Sequence, residues 1–208
     1  MAYFPFFVDL EGKRGLIIGG GQVALRKAER LLPFGPQLTA AAPAILPALA
    51  ALPGVTVLQR PFGEDLLEDG PFFVIAAADD PAVNCRAAAA CRTRGIPVNV
   101  VDDREACSFL FPALVQEGKL TVGISTGGAS PTAAIYVKQA VQQALPENFA
   151  AMLDWLAAQR AAVQAQIGDG GARAAVSAAL FAACLEAGGP PAQEVLQTLL
   201  QTYGGKTP

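Results

Sequence analysis

The chain has 208 residues, 52% of them hydrophobic, which is enough for one full domain with a sizeable core and a smaller second one. A net charge of −3 argues against a nucleic-acid surface, and the absence of histidine excludes serine–histidine and cysteine–histidine catalysis. No signal peptide and no uninterrupted apolar run of about 18 residues is recognisable, so we expect a cytoplasmic protein without a membrane segment.

The spacing of the four cysteines matches neither a zinc site nor a disulfide framework. Histidine, the commonest transition-metal ligand, is also absent. We therefore expect no metal site and four buried free thiols, at Cys85, Cys91, Cys107 and Cys184.

The first hundred residues alternate between short apolar runs and helical patterns. The predicted strands cover 15–18, 38–42, 55–58, 72–77 and 97–101, and the predicted helical segments cover 22–32, 45–52, 64–67 and 81–94. This alternation is typical of an α/β domain with a doubly wound parallel sheet.

The pattern changes after Asp103. Two strands, 109–115 and 120–125, are predicted to be joined by a turn, and a helix over 132–145 follows with Ser130 as its N-cap. The remainder is Ala-rich and helical, with breaks near 168–171 and 188–191. We predict three domains, over residues 1–105, 106–146 (a strand pair plus a helix) and 147–208 (all α).

A glycine-rich loop lies between the first strand and the first helix. Residues 17–24 fit the pattern GxGxxA, in which Gly19 permits a tight turn, Gly21 lets the backbone approach a diphosphate and Ala24 allows close packing of helix on strand. This is the context of a Rossmann dinucleotide-binding loop. The alternative is a glycine-rich turn that binds no ligand.

NAD is the expected cofactor. Residues 40–44 carry neither the acid that often binds the ribose of NAD nor an arginine for the phosphate of NADP, so backbone groups would have to hold the ribose. Small residues at 76–78 leave room for the adenosine half. The predicted cofactor-binding residues are Gly19, Gly20, Gly21, Gln22, Val23, Ala24, Pro43 and Ala78.

Acidic residues follow two of the predicted strands, at the sheet edge where ligands bind in open α/β folds. Without histidine, a carboxylate at 102–103 is the best candidate for a general base, although two adjacent acids can equally form a turn or a helix cap. Helix capping explains Asp79 or Asp80 equally well.

These blocks together resemble the precorrin-2 dehydrogenases, the siroheme synthase enzymes. The matching segments, in the family's order over about residues 3–145, are 3–10, 19–27, 78–80 with Asn84, 99–102 and 125–131.

The resemblance implies a homodimer, with residues 106–146 as its dimerisation region, and NAD-dependent oxidation of precorrin-2 to sirohydrochlorin. The family's essential aspartate falls on Asp102, which makes it the predicted catalytic residue. Thr126 corresponds to a serine that is phosphorylated in some members. Asn99 and Thr126 are the predicted contacts to the tetrapyrrole substrate, although Asn99 could instead hold the end of its strand.

Three other functions are weighed against this one. The enzyme could also insert Fe²⁺ into sirohydrochlorin, with Asp102 accepting protons in both reactions. The chain could instead be a non-catalytic, dimeric NAD-sensing domain. A short-chain dehydrogenase is disfavoured because Tyr136 and Lys138 are two residues apart and do not share a helix face.

Overall fold

The computed structural model describes residues 4–204, which form two compact units, 4–111 and 112–204. Residue 3, where the first segment that resembles the precorrin-2 dehydrogenases begins, lies outside the described residues. The last residues of the predicted C-terminal domain, 205–208, also lie outside them. The domain boundaries predicted at 105–106 and 146–147 stay predictions.

The first unit contains a five-stranded sheet in the order β3-β2-β1-β4-β5, with every neighbouring pair parallel. Its strands are β1 (Arg14–Ile18), β2 (Gln37–Ala41), β3 (Val55–Leu58), β4 (Phe73–Ala76) and β5 (Val98–Val100). They are connected by α1 (Gln22–Leu31), α2 (Pro47–Ala50), a 3₁₀ turn (Glu64–Leu67) and α3 (Pro81–Arg94). The predicted doubly wound α/β fold is confirmed.

The sheet is buried on both faces, which explains why its strands read as continuous apolar runs. Successive residues of a strand point to opposite faces. Ile17 packs with α1 and α2 on one face, whereas Leu16 and Ile18 pack with α3 on the other. The five parallel strands are thereby fixed between two helical layers, and their carboxyl ends share one edge.

The segment after β5 closes the open edge of the sheet. Ser108 Oγ accepts a hydrogen bond from the Val98 amide at 2.7 Å, and Cys107 Sγ accepts one from the Val100 amide at 3.1 Å. These side-chain groups take the place of a sixth strand and protect an edge that would otherwise be free to pair.

The predicted strand over 109–115 is displaced in the structure. The observed strand is β6 (Ala113–Glu117), because Phe109 turns into the core of the first unit and its ring meets Phe73 edge-on at 6.4 Å between centroids. Apolar residues alone cannot distinguish a strand from a loop that is anchored in a core.

The second unit begins with an antiparallel hairpin, β6 and β7 (Leu120–Ile124), whose two-residue turn contains Gly118 at φ 54°. Helix α4 (Pro131–Ala144) follows. As predicted, Ser130 is its N-cap, and Ser130 Oγ accepts a hydrogen bond from the Ala133 amide at 3.1 Å. Three further helices complete the unit, α5 (Phe149–Gln166), α6 (Gly170–Ala187) and α7 (Gln193–Gly204).

Among the described residues, α6 is the one helix with the length and mean hydropathy that could cross a membrane. Val176, Leu180 and Cys184 of α6 are buried in the second unit, the first two in a cluster with residues of α5 and α7. A core helix has the same composition, so this feature is weak evidence for a membrane span.

The expectation of four buried cysteines is wrong for two of them. Cys91 and Cys184 are buried, and burial raises the pKa of Cys91 to about 11, which makes it an inert thiol. Cys85 is exposed because it lies on the side of α3 that faces away from the sheet. Cys107 is half-buried and hydrogen-bonded to the backbone of β5.

We expect Ile75→Ala to lower the free energy of unfolding by roughly 2–5 kcal/mol, because Ile75 is fully buried in the interior strand β4 and its truncation leaves a cavity. Val57→Ala, on the outer strand β3, is the control and should cost less than about 1 kcal/mol. Urea unfolding followed by circular dichroism measures both. Equal losses would contradict this account of the core.

Candidate active site

Two of the three glycines in the loop after β1 are required by close packing. Gly19 has φ +136°, a conformation that side chains rarely adopt, and an added Cβ would overlap the carbonyl of Ala77. A Cβ on Gly20 would overlap the carbonyl of Ala44. The loops after β2 and β4 therefore close directly onto these two glycines.

Gly21 differs from both, because an added Cβ would meet no atom within 4 Å. Its φ of −89° is open to any residue, and it caps α1 without a side-chain hydrogen bond. The first amides of α1, those of Gln22 and Val23, have no acceptor within their own helix. Free space beside amides at the positive end of a helix fits the diphosphate of a dinucleotide.

The loop after β4 lies beside the glycine loop, because β1 and β4 are adjacent strands and the Ala77 amide donates to the Ile18 carbonyl at 2.7 Å. This pair of strands is where the chain reverses its direction across the sheet, the usual place for a ligand in such folds. The buried side chain of Asn84 holds this loop, with its amide accepting from the Ala78 N–H and donating to the Ala78 carbonyl, both at 2.9 Å.

The remaining predicted residues around this edge have simple environments. Ala24 is fully buried between α1 and the sheet, as its role in close packing requires. Pro43 is exposed and lies two residues after the end of β2, at the carboxyl edge of the sheet. Asp80 caps α3 by accepting from the Ala82 amide at 2.9 Å, which confirms the capping interpretation for that acid.

The two acids after β5 differ in their hydrogen bonding. Asp103 accepts a hydrogen bond from the Ala106 amide at 3.1 Å and so stabilises the turn. Asp102 is exposed, and within the described part of the chain its carboxylate accepts no hydrogen bond. Its backbone has φ 61°, a left-handed conformation that Asp tolerates better than most residues. The structural role thus falls to Asp103, and the carboxylate of Asp102 is free for chemistry.

Asn99 is 5% exposed, and its polar atoms are engaged within the protein. Its amide nitrogen donates to the Phe109 carbonyl at 3.0 Å and to Cys107 Sγ at 3.4 Å. Its oxygen accepts from Lys27 Nζ at 3.2 Å. These contacts support the interpretation that Asn99 holds the end of its strand, and a direct contact with substrate stays a prediction.

Lys27 belongs to this cluster, and the sequence alone gave it no role in the site. Its Nζ lies 3.7 Å from the ring centroid of Phe111. The pKa of Lys27 is lowered to about 8, mainly by burial and next by the charge of Arg30, whereas Cys107 and Asp102 act in the opposite direction. A signal was present in the sequence, because position 27 falls on the face of α1 that buries Ala24, Ala28 and Leu31.

Thr126 belongs to the second unit, in the loop before α4. Its hydroxyl donates to the Ser130 carbonyl at 3.0 Å and accepts from the Ser130 amide at 3.2 Å, so it closes a turn that contains Gly127 and Gly128. The other predicted site residues all belong to the first unit. The assignment of Thr126 to the substrate site stays a prediction.

Comparison with known proteins first gives the class. Residues 6–113 match the family described as "Putative NAD(P)-binding", which is more than half of the chain, and the chain belongs to this family. The match covers β1 to β5 with the glycine loop, and it confirms the expected dinucleotide cofactor, NAD.

Individual relatives confirm the resemblance found in the sequence. The chain is 38% identical over 172 residues to the siroheme synthase of Pseudomonas entomophila. The aligned region covers 81% of this chain and 37% of the relative. It is 40% identical over 152 residues to the siroheme synthase of Azotobacter vinelandii, covering 72% of this chain and 32% of the relative. This chain thus spans about a third of the length of these relatives.

A solved structure has the same fold. The structure titled SirC, precorrin-2 dehydrogenase, superposes with a TM-score of 0.72 at 22% sequence identity, over 97% of this chain and 98% of that one. At this level of identity, the likeness establishes the fold.

We expect Gly21→Ala to fold as stably as the wild type and to lose NAD affinity by roughly tenfold or more, because the new methyl group enters the space beside the α1 amides. Gly168→Ala is the control, since its added methyl group also meets no neighbour. Calorimetric titration with NAD measures both variants. Unchanged affinity in Gly21→Ala would show that the diphosphate lies elsewhere.

Lys27 should affect stability in a defined pH range. Its pKa is about 8 in the folded chain and 10.5 when unperturbed, so the unfolded chain binds the additional proton between these values. The free energy of unfolding of the wild type, relative to Lys27→Met, should therefore rise from pH 8 to pH 10.5. Denaturant unfolding of both proteins across this range measures it. A constant difference would contradict the lowered pKa.

Proposed function

We propose that this chain is a cytoplasmic precorrin-2 dehydrogenase, which oxidises precorrin-2 to sirohydrochlorin with NAD as hydride acceptor. The observation that carries the proposal is the carboxylate of Asp102, which accepts no hydrogen bond from the described residues and lies at the carboxyl edge of the sheet that carries the glycine loop. The siroheme synthase relatives support the substrate class.

The residues that would hold NAD are the glycine loop with Gln22, Val23 and Ala24, together with Pro43 and Ala78. The amides at the start of α1 would bind the diphosphate, and the small side chains after β4 leave room for the adenosine. We infer NAD rather than NADP because residues 40–46 contain no cation for a ribose phosphate. NAD supplies the redox chemistry, since its nicotinamide accepts a hydride.

Asp102 would act as the general base. Loss of a hydride from a reduced tetrapyrrole must be accompanied by loss of a proton, and a carboxylate that accepts no hydrogen bond from residues 4–204 can accept this proton. Asp103 is tied to the Ala106 amide and holds the turn that presents Asp102. Asn99 fixes β5 just before this turn. The role we assign to Asn99 and Thr126 is to position the substrate, directly or through the loops that they hold.

The partner we propose is a second copy of the chain. Helix α4 exposes Ile135, Tyr136 and Val137, a cluster of large apolar side chains at its N-terminal half. Because successive helix residues point in different directions, contacts with a second copy on more than one face of α4 would be needed to remove all three from water. The region 106–146 is therefore our candidate for the dimerisation region.

Insertion of Fe²⁺ into sirohydrochlorin is a second candidate activity. The observation that favours it is again the free carboxylate of Asp102, because metal insertion also requires a proton acceptor and the macrocycle itself supplies the nitrogen ligands. Incubating the purified protein with sirohydrochlorin and Fe²⁺, in the absence of NAD, tests it separately from the dehydrogenase.

We expect Asp102→Asn to lose turnover by at least roughly a hundredfold, because the amide cannot accept the proton. Asn tolerates the left-handed backbone at this position, so NAD affinity and oligomeric state should be unchanged. The measurement is NADH formation from enzymatically made precorrin-2 under anaerobic conditions.

Asp103→Asn is the matched control, since it removes the neighbouring charge and keeps an oxygen for the Ala106 amide. It should retain most of the activity. Full activity in Asp102→Asn would remove Asp102 from the mechanism. Tight NAD binding by a wild type that turns over no precorrin-2 would favour the NAD-sensing alternative.

A further inference from the structure

The least expected charge in the first unit is the ammonium group of Lys27. It lies among aliphatic residues of α1 and beside the ring of Phe111, and burial of a cation there has a free-energy cost that shows in its lowered pKa. Within residues 4–204 no carboxylate lies within the 4 Å of an ion pair to Lys27. An apolar side chain would fill the same space at lower cost.

The surroundings of Lys27 leave part of its hydrogen-bonding capacity unused. An ammonium group has three N–H donors, and the contacts of Nζ with residues 4–204 are one hydrogen bond, to Asn99 Oδ1, and the face of one ring. The charged and titratable groups near it are Arg30 on α1 and Asp102 and Cys107 after β5. Arg30 repels it, whereas Asp102 favours its charged form.

We propose that Lys27 is a substrate-binding residue, whose ammonium group takes a carboxylate of the tetrapyrrole at the same end of β5 as Asp102. This inference rests on the proposed function and assigns the cation that the substrate class requires. Precorrin-2 carries eight carboxylates, and a charge-assisted hydrogen bond to a half-buried ammonium group is stronger than one to an exposed lysine.

The position of Lys27 gives this contact a consequence for the reaction. Asn99 lies in β5, and Asp102 follows it by three residues, just after the strand ends. Lys27 donates a hydrogen bond to Asn99, and the charge of Asp102 raises the pKa of Lys27. A substrate carboxylate bound at Lys27 therefore holds the macrocycle beside the proposed proton acceptor. The positive charge also offsets the repulsion between that carboxylate and Asp102.

The first experiment measures binding without turnover. The probe is uroporphyrin III, an octacarboxylate tetrapyrrole, and its binding at pH 7 is followed by the quenching of its own fluorescence. The proteins compared are the wild type, Lys27→Met, Lys27→Arg and Lys13→Met. Lys13 is the matched control, since its Nζ also lies over a ring, that of Phe72, but at the amino end of β1. We expect Lys27→Met to bind roughly tenfold more weakly or worse, with Lys27→Arg and Lys13→Met within a few-fold of wild type.

The second experiment is a pH profile of kcat/KM, which reports ionisations of the free enzyme. Lys27 is charged below its pKa of about 8, so kcat/KM of the wild type should fall as the pH rises through 8. Lys27→Arg should keep its charge and lose this fall, and Arg30→Gln should shift the fall to higher pH by removing the repelling charge. A merely structural lysine would not produce these shifts.

Two results would overturn the inference: uroporphyrin affinity in Lys27→Met equal to wild type, or a fall near pH 8 that persists in Lys27→Arg. If Lys27→Met fails to fold, Lys27→Arg and Arg30→Gln still decide the question through the pH profile or the pH dependence of uroporphyrin binding. A wild type that forms no NADH from precorrin-2 but binds uroporphyrin through Lys27 would refute the proposed function and leave this site standing. Normal NADH formation from precorrin-2, with a KM in Lys27→Met equal to that of the wild type, would refute this site and leave the proposed function standing.

Discussion

The close approach of backbone to backbone at Gly19 and Gly20 is the constraint on which the rest of the first unit depends. The carbonyls of Ala77 and Ala44 occupy the space that side chains would take, so the loops after β4 and β2 converge on the loop after β1. This convergence brings three strand ends together at one edge and leaves Gly21 with open space beside the first amides of α1. A side chain at either packed glycine would separate these loops and, with them, the parts of the proposed NAD site.

The opposite half of the sheet edge is organised by a different interaction, the buried amide of Asn99. It joins β5 to the edge-covering residues 107–109 and to Lys27 of α1, which is 72 positions away in the chain. Burying so many polar groups is tolerable because each has a partner. Among the described residues, the Asp102 carboxylate accepts no hydrogen bond, and the Lys27 ammonium group donates one of the three that it could donate. We regard these two groups, of opposite charge and near one another, as the chemical centre of the proposed site.

The sequence predicted most of the first unit because its signals are local. Apolar runs that end at glycine or proline identify buried parallel strands, and Gly19 to Ala24 fixes the type of loop between two of them. The prediction failed at Phe109, where an apolar residue serves a core instead of a strand. It also could not separate Asp102 from Asp103, since the distinction depends on one hydrogen bond, from the Ala106 amide. Lys27 received no role from the sequence, although its place on the buried face of α1 was readable.

By itself, the sequence determined the class of fold, the dinucleotide loop, the family and the N-cap of α4, because each is signalled by short patterns of neighbouring residues. Only the tertiary structure decided which carboxylate is free, that Asn99 is buried, and that Lys27 crosses from α1 to β5. These features arise from contacts across as many as 72 positions of the chain, and their energies depend on burial. The local pattern of α1 places Lys27 on the face of the helix that is buried, but it does not show which residues pack against that face, because those residues come from distant parts of the chain.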